Sequence, residues 1–352
     1  MTIHETYMQR CIQLATAGAG YVAPNPMVGA VLVHENRIIG EGYHQAYGGP
    51  HAEVHCLNSV SEADRHLISQ SVMYVSLEPC AHFGKTPPCA DLIIEKKVPQ
   101  VVIGCRDPFK QVDGKGVEKL QTAGVQVTIG VLQQECRSLN KRFITFHKHH
   151  RPYIILKWAQ TANGKMAGDP GGERLLISNE FTNRLVHKWR SEEAAILVGT
   201  NTALFDDPAL TNRLWNGPGP VRLVVDMNLR LPSSLQLFNK KVRTIVFNSL
   251  KHEEQENLLY YQVTHDVNPV HQILNALYQL KIQSVLVEGG AQLLQSFIDE
   301  GLWDEMRVIT NNEQVVGHGL PAPRMLTGQL QQQETLFSDT LHYFVNPQTL
   351  VH

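Results

Sequence analysis

Residues 2 to 18 carry apolar side chains at helical spacing, with Met8, Cys11, Ile12 and Ala15 on one face and Thr2 and Glu5 placed to form a capping box. Such a helix covers a sheet. Short apolar runs follow at Val28–Val33, Val72–Leu77 and Val101–Gly104, and a further strand-like run, Gln126–Ile129, comes after Ala123-Gly124. The stretches between them are long enough for helices, which is the alternation of an α/β sheet. The rhythm pauses at His147–Pro152, a polar, basic stretch closed by proline, and restarts with Tyr153–Leu156, Ala194–Val198, Val221–Val225, Thr244–Phe247 and Ser284–Val287. Continuous apolar runs of this kind read as strands buried on both faces. The pattern therefore predicts two α/β domains, residues 1–147 and 151–352. Asn212–Pro220 and Leu250–Gln255 read as loops, Gln292–Phe297 as a helix, and the glutamine-rich Gln329–Gln333 as a surface segment.

Composition narrows the function classes. With 352 residues, 43% hydrophobic and 18% charged, the chain can bury two cores and is not a disordered or low-complexity protein. Lys and Arg total 31 against 33 for Asp and Glu, a net charge of -2, which removes the electrostatic case for a general nucleic-acid or anionic-membrane binder. No window reaches the ~20 apolar residues that cross a bilayer, and Met1–Glu5 lacks the basic-then-apolar layout of a secretion signal. The expected location is cytoplasmic. In a reducing compartment the six cysteines are thiols or metal ligands rather than bridges.

The sharpest chemical signal is His51-Ala52-Glu53, then Pro79-Cys80 and, nine positions on, Cys89. One imidazole and two thiolates suit Zn²⁺, and three protein ligands leave a fourth tetrahedral position open, as catalytic sites do. A water activated there is a nucleophile near neutral pH, and Glu53 can take its proton and pass it to a ring nitrogen and a departing amine. That is hydrolytic deamination. Residues two apart on a helix point about 200° away from each other, so His51 must sit at the mouth of its helix for Glu53 to share the site. Pro50 and Pro79, just before two of the ligands, suit first helical turns. Singly, His51 is a polar loop residue and Cys80 and Cys89 are core thiols. Together and in order they fit the H-x-E with P-C-x-x-C pattern of zinc nucleobase deaminases, with a wider gap between the cysteines.

The second half offers three weaker motifs. Lys157 follows an apolar strand within Lys157–Lys165, and strand exits in parallel sheets commonly carry chemistry. Phe205–Arg213 supplies Asp206, Asp207 and Arg213, the last being the side chain best shaped to grip a phosphate. Val285–Ala291 is a strand, an acid and two glycines opening onto a helix, where free amides cradle phosphate. Each has an ordinary structural reading as a surface salt bridge, a solvated turn or a glycine turn. Gly18–Ala23 also matches a G-x-G-x-x-A pattern but follows a helix rather than a strand, and is set aside.

Ala23–Gly29, Gly49–Val54 and Leu77–Cys89, with His-Phe-Gly-Lys-Thr-Pro-Pro filling the widened cysteine gap, resemble the RibD family of bifunctional riboflavin-biosynthesis deaminase/reductases. Gly104–Pro108, Gly114–Gly116 and Leu139-Asn140 continue the match, and the second half resembles the family's reductase portion. The resemblance implies an N-terminal cytidine-deaminase-like domain followed by a dihydrofolate-reductase-like α/β domain. It implies zinc on His51, Cys80 and Cys89, proton transfer by Glu53, and substrate contacts from Asn25, His44, His82 and Lys85. For the reductase it implies NADPH at Ala159, Thr202, Asp206 and the turn from Gly290 and Ala291. Substrate would meet Lys157, Arg190, Leu210, Arg213 and Glu288, with Lys157, Asp206 and Glu288 as the acid-base groups. The implied sequence is deamination of a phosphoribosylated diaminopyrimidinone, then reduction of ribosyl C1′ to a ribityl chain, by a homodimer that binds neither nucleic acid nor membrane. The chain departs from the family pattern at Glu173–Ser178, at Ala162-Asn163-Gly164 where Leu-Asp-Gly is usual, and at Asn312–Gly317. The alternative is a deaminase-only enzyme whose reductase domain binds substrate with weak activity or none.

Overall fold

The Thr2 backbone N–H donates to the Glu5 carboxylate at 2.7 Å and the Glu5 amide returns the bond to the Thr2 hydroxyl at 3.3 Å, so the first helix, α1 (Ile3–Thr16), opens on a closed capping box. That arrangement stabilises a helix start by about 1 kcal/mol. Its inner face buries Tyr7, Met8, Cys11 and Ala15. The computed structural model describes residues 1–83, 87–108, 114–168 and 175–349. Two units separate at His150/Arg151 by the density of contacts within each.

The first unit has a sheet of β1 (Gly29–His34), β2 (Arg37–Tyr43), β3 (Val72–Leu77), β4 (Gln100–Cys105) and β5 (Gln126–Ile129), in the order β2-β1-β3-β4-β5. β1 runs antiparallel to both neighbours, whereas β3, β4 and β5 are parallel. Helices α2 (Ala52–Asn58), α3 (Cys89–Glu95), α4 (Lys115–Thr122), α5 (Gln133–Leu139) and α6 (Lys141–His149) follow in chain order. Ala52, Cys56, Ala90, Ile93, Val117 and Leu120 pack with Leu32, Met73 and Ile103 in one apolar layer, and α1 packs with Val31, Tyr74 and Val102 in another. The basic run at 147–149 is the last turn of α6, where cations face the negative end of the helix dipole. The helix ends at His150, in the left-handed region at φ 53°.

The second unit is anchored at its first strand, β6 (Tyr153–Thr161): Arg151 grips Asp304 with two bonds of 2.6 and 2.7 Å, and Asp304 also accepts the Ile154 amide at 2.8 Å. Its other elements are β7 (Lys165–Ala167), α7 (Glu180–Glu192), β8 (Ala195–Gly199), α8 (Thr200–Asp206), β9 (Val221–Val225), β10 (Thr244–Asn248), β11 (Glu253–Gln255), β12 (Leu258–Gln262), α9 (Pro269–Gln279), β13 (Ser284–Val287), α10 (Ala291–Asp299), β14 (Glu305–Asn311), β15 (Leu320–Pro321), β16 (Gln329–Leu336) and β17 (Asp339–Val345). Ten strands form one sheet, β11-β12-β10-β9-β8-β13-β6-β14-β17-β16, and β7 pairs with β15. The middle, from β12 to β14, is parallel, and the antiparallel pairs lie at the two edges.

The structure departs from the sequence pattern at three places. Leu250–Gln255 is not all loop, since Glu253–Gln255 pairs with β12 as an edge strand. Gln329–Gln333 lies on the surface as expected but belongs to a strand, β16, that borrows its order from backbone pairing with β17. Lys157 lies inside β6 rather than at its exit, because β6 continues to Thr161 along β14. It is β13 that stops: Val287 pairs with Leu156, so the next residues out, Glu288 and Lys157, become neighbours.

No described helix is long and apolar enough to cross a membrane.

Candidate active sites

His51 is the N-cap of α2, with extended backbone at φ -77° and ψ 169°, which frees its ring from the helical spacing and lets Glu53, in the first turn, share the same site. Cys89 is the first residue of α3, and Cys80 follows the end of β3. The Cys89 amide donates to Cys80 Sγ at 3.3 Å, locking the two sulfurs together. His51 Nδ1 lies 3.6 Å from Cys80 Sγ and 3.3 Å from Cys89 Sγ. Among the described residues these three are the group whose ligand atoms converge for a metal, all within 4.8 Å of one another.

Electrostatics follow from that crowding. A hydrogen bond from the Cys89 thiol holds Cys80 down to about 4, with the His51 imidazole adding to it despite burial. Cys89 keeps the shared proton and is pushed up by its bond to Cys80 and by burial. His51 is raised by its hydrogen bond with Cys80. Glu53 is 3% exposed; burial raises its carboxyl, the Cys80 charge adds to this and the His51 ring opposes it. A raised carboxyl is a better proton acceptor than an ordinary one.

His44 stands edge-on to His51, ring centroids 5.3 Å apart. Its Nδ1 donates to the Pro50 carbonyl at 2.9 Å, which leaves Nε2 as acceptor for Asn25 Nδ2 at 3.0 Å. Burial, opposed by the bond to Pro50, lowers its pKa and keeps the ring neutral. The structure thus brings Asn25, His44, His51 and Glu53 together. His82 lies two residues beyond Cys80 and is half-buried. Lys85 lies outside the described residues, as do 173 and 174 of the first departure.

Glu78, not among the residues singled out from the sequence, holds this centre in place. Among the described residues its buried carboxylate accepts four backbone amides, from Asp107 at 3.4 Å, Gly114 at 3.2 Å, Gly116 at 3.0 Å and Val117 at 3.2 Å. It therefore binds the start of α4, whose dipole favours a negative charge, to the segment carrying Cys80. The approach is close: a Cβ on Gly116 would sit 2.0 Å from the Pro79 carbonyl oxygen. The acid directly before Pro-Cys was the available signal.

In the second unit Arg190 of α7 clasps Glu288 with bonds of 2.8 Å from Nε and 2.7 Å from a terminal nitrogen, and Lys157 Nζ stands 3.7 Å from the same carboxylate. Burial lowers the pKa of Lys157, with Glu288 opposing. Arg190 also donates to the Thr211 carbonyl at 3.3 Å, which ties the Leu210–Arg213 segment to this cluster. Arg213 is exposed, and Leu210 is buried at 3%. Ala159 lies two residues along β6 from Lys157, opposite Ile309 of β14.

The glycine turn after Glu288 leads into α10. Gly290 is its N-cap at φ 60°, and among the described residues no side chain caps the helix. A Cβ on Gly289 would meet Val198 Cα at 2.8 Å, and one on Gly290 would meet Thr202 Oγ1 at 3.4 Å. Thr202 is thus beside the turn, and Asp206 ends α8 one turn further on. The two departures that are described in full touch each other: Asn163 Nδ2 donates to the Val316 carbonyl at 2.7 Å, and the Ala162 amide donates to the Gln314 carbonyl at 2.8 Å.

Comparison with known proteins places both halves. Residues 152–347 match the family described as RibD C-terminal domain, and residues 1–105 match the cytidine and deoxycytidylate deaminase zinc-binding region. The chain is 41% identical over 324 residues to the riboflavin biosynthesis protein RibD of Aquifex aeolicus, covering 90% of this chain and 89% of the relative. It is 35% identical to RibD of Escherichia coli over 86% of each chain. Among solved structures, it is similar to a diaminohydroxyphosphoribosylaminopyrimidine deaminase/5-amino-6-(5-phosphoribosylamino)uracil reductase from Thermotoga maritima, with 37% identity, TM-score 0.88 and coverage of 98% and 99%. RibD of Acinetobacter baumannii follows at 32% identity and TM-score 0.87, covering 97% and 98%.

Proposed function

The chain belongs to the RibD family of riboflavin-biosynthesis proteins, and on that premise we propose how its residues divide two consecutive reactions. It is a bifunctional enzyme, a zinc-dependent deaminase and an NADPH-dependent reductase, built as a cytidine-deaminase-like unit followed by a dihydrofolate-reductase-like unit. The substrates are phosphoribosylaminopyrimidines.

The donor set fits zinc: one imidazole nitrogen and two sulfurs within 4.8 Å, with one sulfur already disposed to be a thiolate. His51, Cys80 and Cys89 would hold it. Zinc, when bound, supplies Lewis-acid activation of water near neutral pH. Glu53 takes one proton from the attacking water and delivers it to the ring nitrogen as the C–O bond forms, then moves the second proton from the new hydroxyl to the amine, so that the C–N bond breaks, a carbonyl is left and ammonia departs. Asn25 and His44, fixed in one tautomeric arrangement, orient the pyrimidine. His82 and Lys85 complete the proposed substrate contacts.

The Gly289-Gly290 turn fits a phosphate-bearing cofactor, since it leads into a helix start that no described side chain caps, with the Thr202 hydroxyl beside it. NADPH, when bound, supplies hydride. Thr202, Ala159, Asp206, Gly290 and Ala291 would meet it. Lys157 and Glu288, with Asp206, are the proton carriers: one proton moves from the nitrogen attached to C1′ to the ring oxygen as the ribose opens to an imine, and one proton is then supplied to that nitrogen as C1′ is reduced. Arg190 orients Glu288, and Leu210 and Arg213 hold the phosphoribosyl end.

The observation that carries this reading is the convergence of His51 Nδ1 with two sulfurs beside a buried Glu53. The test is metal analysis of the full chain with two assays, ammonia release from the diaminopyrimidinone and NADPH oxidation with its deaminated product. One zinc per chain and both activities are expected. Ammonia release that survives exhaustive chelation refutes the first assignment. Absence of NADPH consumption at saturating cofactor refutes the second and restores the deaminase-only alternative. A cytoplasmic location belongs to the same proposal and is supported by six unbridged cysteines. So does a homodimer, to be read by sedimentation.

A further inference from the structure

His187 and Arg190 lie three residues apart on α7 and so share one face of the helix. Both reach the same loop. Arg190 donates to the Thr211 carbonyl at 3.3 Å, and His187 Nδ1 accepts the Arg213 backbone N–H at 2.9 Å. His187 is only 2% exposed, so its ring is neither a surface group nor free to turn. Between the two staples and α8, Leu210 is held at φ 47°, a conformation that a residue with a branched side chain keeps only when its surroundings enforce it.

The bond to the Arg213 amide requires an unprotonated Nδ1, because a backbone N–H can only donate. Burial, reinforced by the charges of Arg190 and Arg213, pushes His187 down to about 4, so the ring is neutral at working pH. An imidazole used as an acceptor toward one main-chain amide is a fixed length of side chain that sets the height of that amide.

We propose that His187 is a positioning residue for reduction: by accepting the Arg213 amide it sets the backbone from which the Arg213 guanidinium reaches the phosphate monoester of the phosphoribosyl substrate. The inference rests on the reading of Arg213 as a substrate contact. His187 touches the loop and not the reacting atoms, so its loss acts on substrate binding rather than on hydride transfer.

Three variants of the full chain test it in the NADPH oxidation assay, with ammonia release as an internal measure that the first unit is intact. His187→Leu removes the acceptor and strands a buried amide, and its KM for the phosphoribosylaminopyrimidine should rise about tenfold or more. kcat should stay within about twofold and KM for NADPH should be unchanged. His187→Asn, whose amide oxygen can take the place of Nδ1, should recover most of the lost affinity. Arg213→Ala separates the two layers of the argument. If Arg213→Ala leaves the substrate KM unchanged, the assignment of Arg213 fails and takes the inference with it. If Arg213→Ala raises KM while His187→Leu does not, the role of His187 alone is overturned. A fall in kcat at constant KM in His187→Leu, or failure of a folded His187→Asn to recover affinity, also overturns it. Should His187→Leu not fold, His187→Asn decides through the same KM values.

Discussion

Replacing Glu288 with Gln deletes the carboxylate that stands between two largely buried cations. Arg190 grips it at 2.8 and 2.7 Å, and Lys157 stands 3.7 Å away. Burial works to raise this carboxyl, but Arg190 and Lys157 outweigh it and hold it at about 2 instead of the ordinary 4.5. At 1.36 kcal/mol for each pH unit, the ionised form is favoured on folding by about 3 kcal/mol. The amide forfeits that and leaves Arg190 facing Lys157, so the loss should reach ~3–5 kcal/mol, the usual cost of breaking a buried pair from one side. Urea unfolding at pH 7 of the parent and Glu288→Gln should show that difference in the transition assigned to the second unit. NADPH oxidation should disappear and ammonia release persist. The sign of the pH dependence follows from the lowered carboxyl: its contribution is complete above about 4.5 and is lost as pH falls toward about 2. Glu288→Gln should therefore lack the parent's loss of stability across that window. A cost below about 1 kcal/mol, or an identical acid limb in the two proteins, refutes the reasoning.

Other substitutions probe the remaining contacts. Glu53→Gln should lower ammonia release by about 10²–10⁴-fold while metal analysis still finds zinc, since the three ligands are untouched; near-normal turnover would contradict the proton-carrying role. Gly116→Ala places a methyl 2.0 Å from the Pro79 carbonyl and must push α4 away from the Cys80 segment, costing about 1–3 kcal/mol in urea unfolding and reducing zinc content. Asn163→Asp replaces the donor to the Val316 carbonyl with an acceptor, and at this exposed position should lower stability by about 1 kcal/mol and speed amide exchange at Gln314–Val316.

The apolar rhythm located the interior of both sheets because a strand buried on two faces announces itself residue by residue. β3, β9 and β13 begin and end where the apolar runs Val72–Leu77, Val221–Val225 and Ser284–Val287 do, and the edge strand β5, exposed at alternate positions, coincides with the strand-like run Gln126–Ile129. β11 and β16 were hidden for the converse reason: Glu253–Gln255 and Gln329–Gln333 carry almost no apolar side chain, and their order comes from the neighbouring backbone. β6 outran its apolar run because β14 pairs with it beyond Leu156, which moved Lys157 from a strand end to a strand interior. At the metal centre, the spacing of His51 and Glu53 was enough to require a cap position, and the structure has one. Glu78 and His187 could not be read in the same way. Each acts on main-chain amides 26 to 39 positions away, at Arg213 for His187 and as far as Val117 for Glu78, and amides leave no mark on a sequence.

The bond from the Cys89 amide to Cys80 reaches beyond geometry. A main-chain dipole aimed at a sulfur draws electron density away from it, making that sulfur a weaker donor to any cation it grips and a poorer target for oxidants. The cation is left more electron-hungry toward whatever occupies its remaining coordination position. Such tuning belongs to the trace of the chain rather than to a side chain, so conventional mutagenesis passes over it, and replacing the peptide link before Cys89 with an ester would expose it.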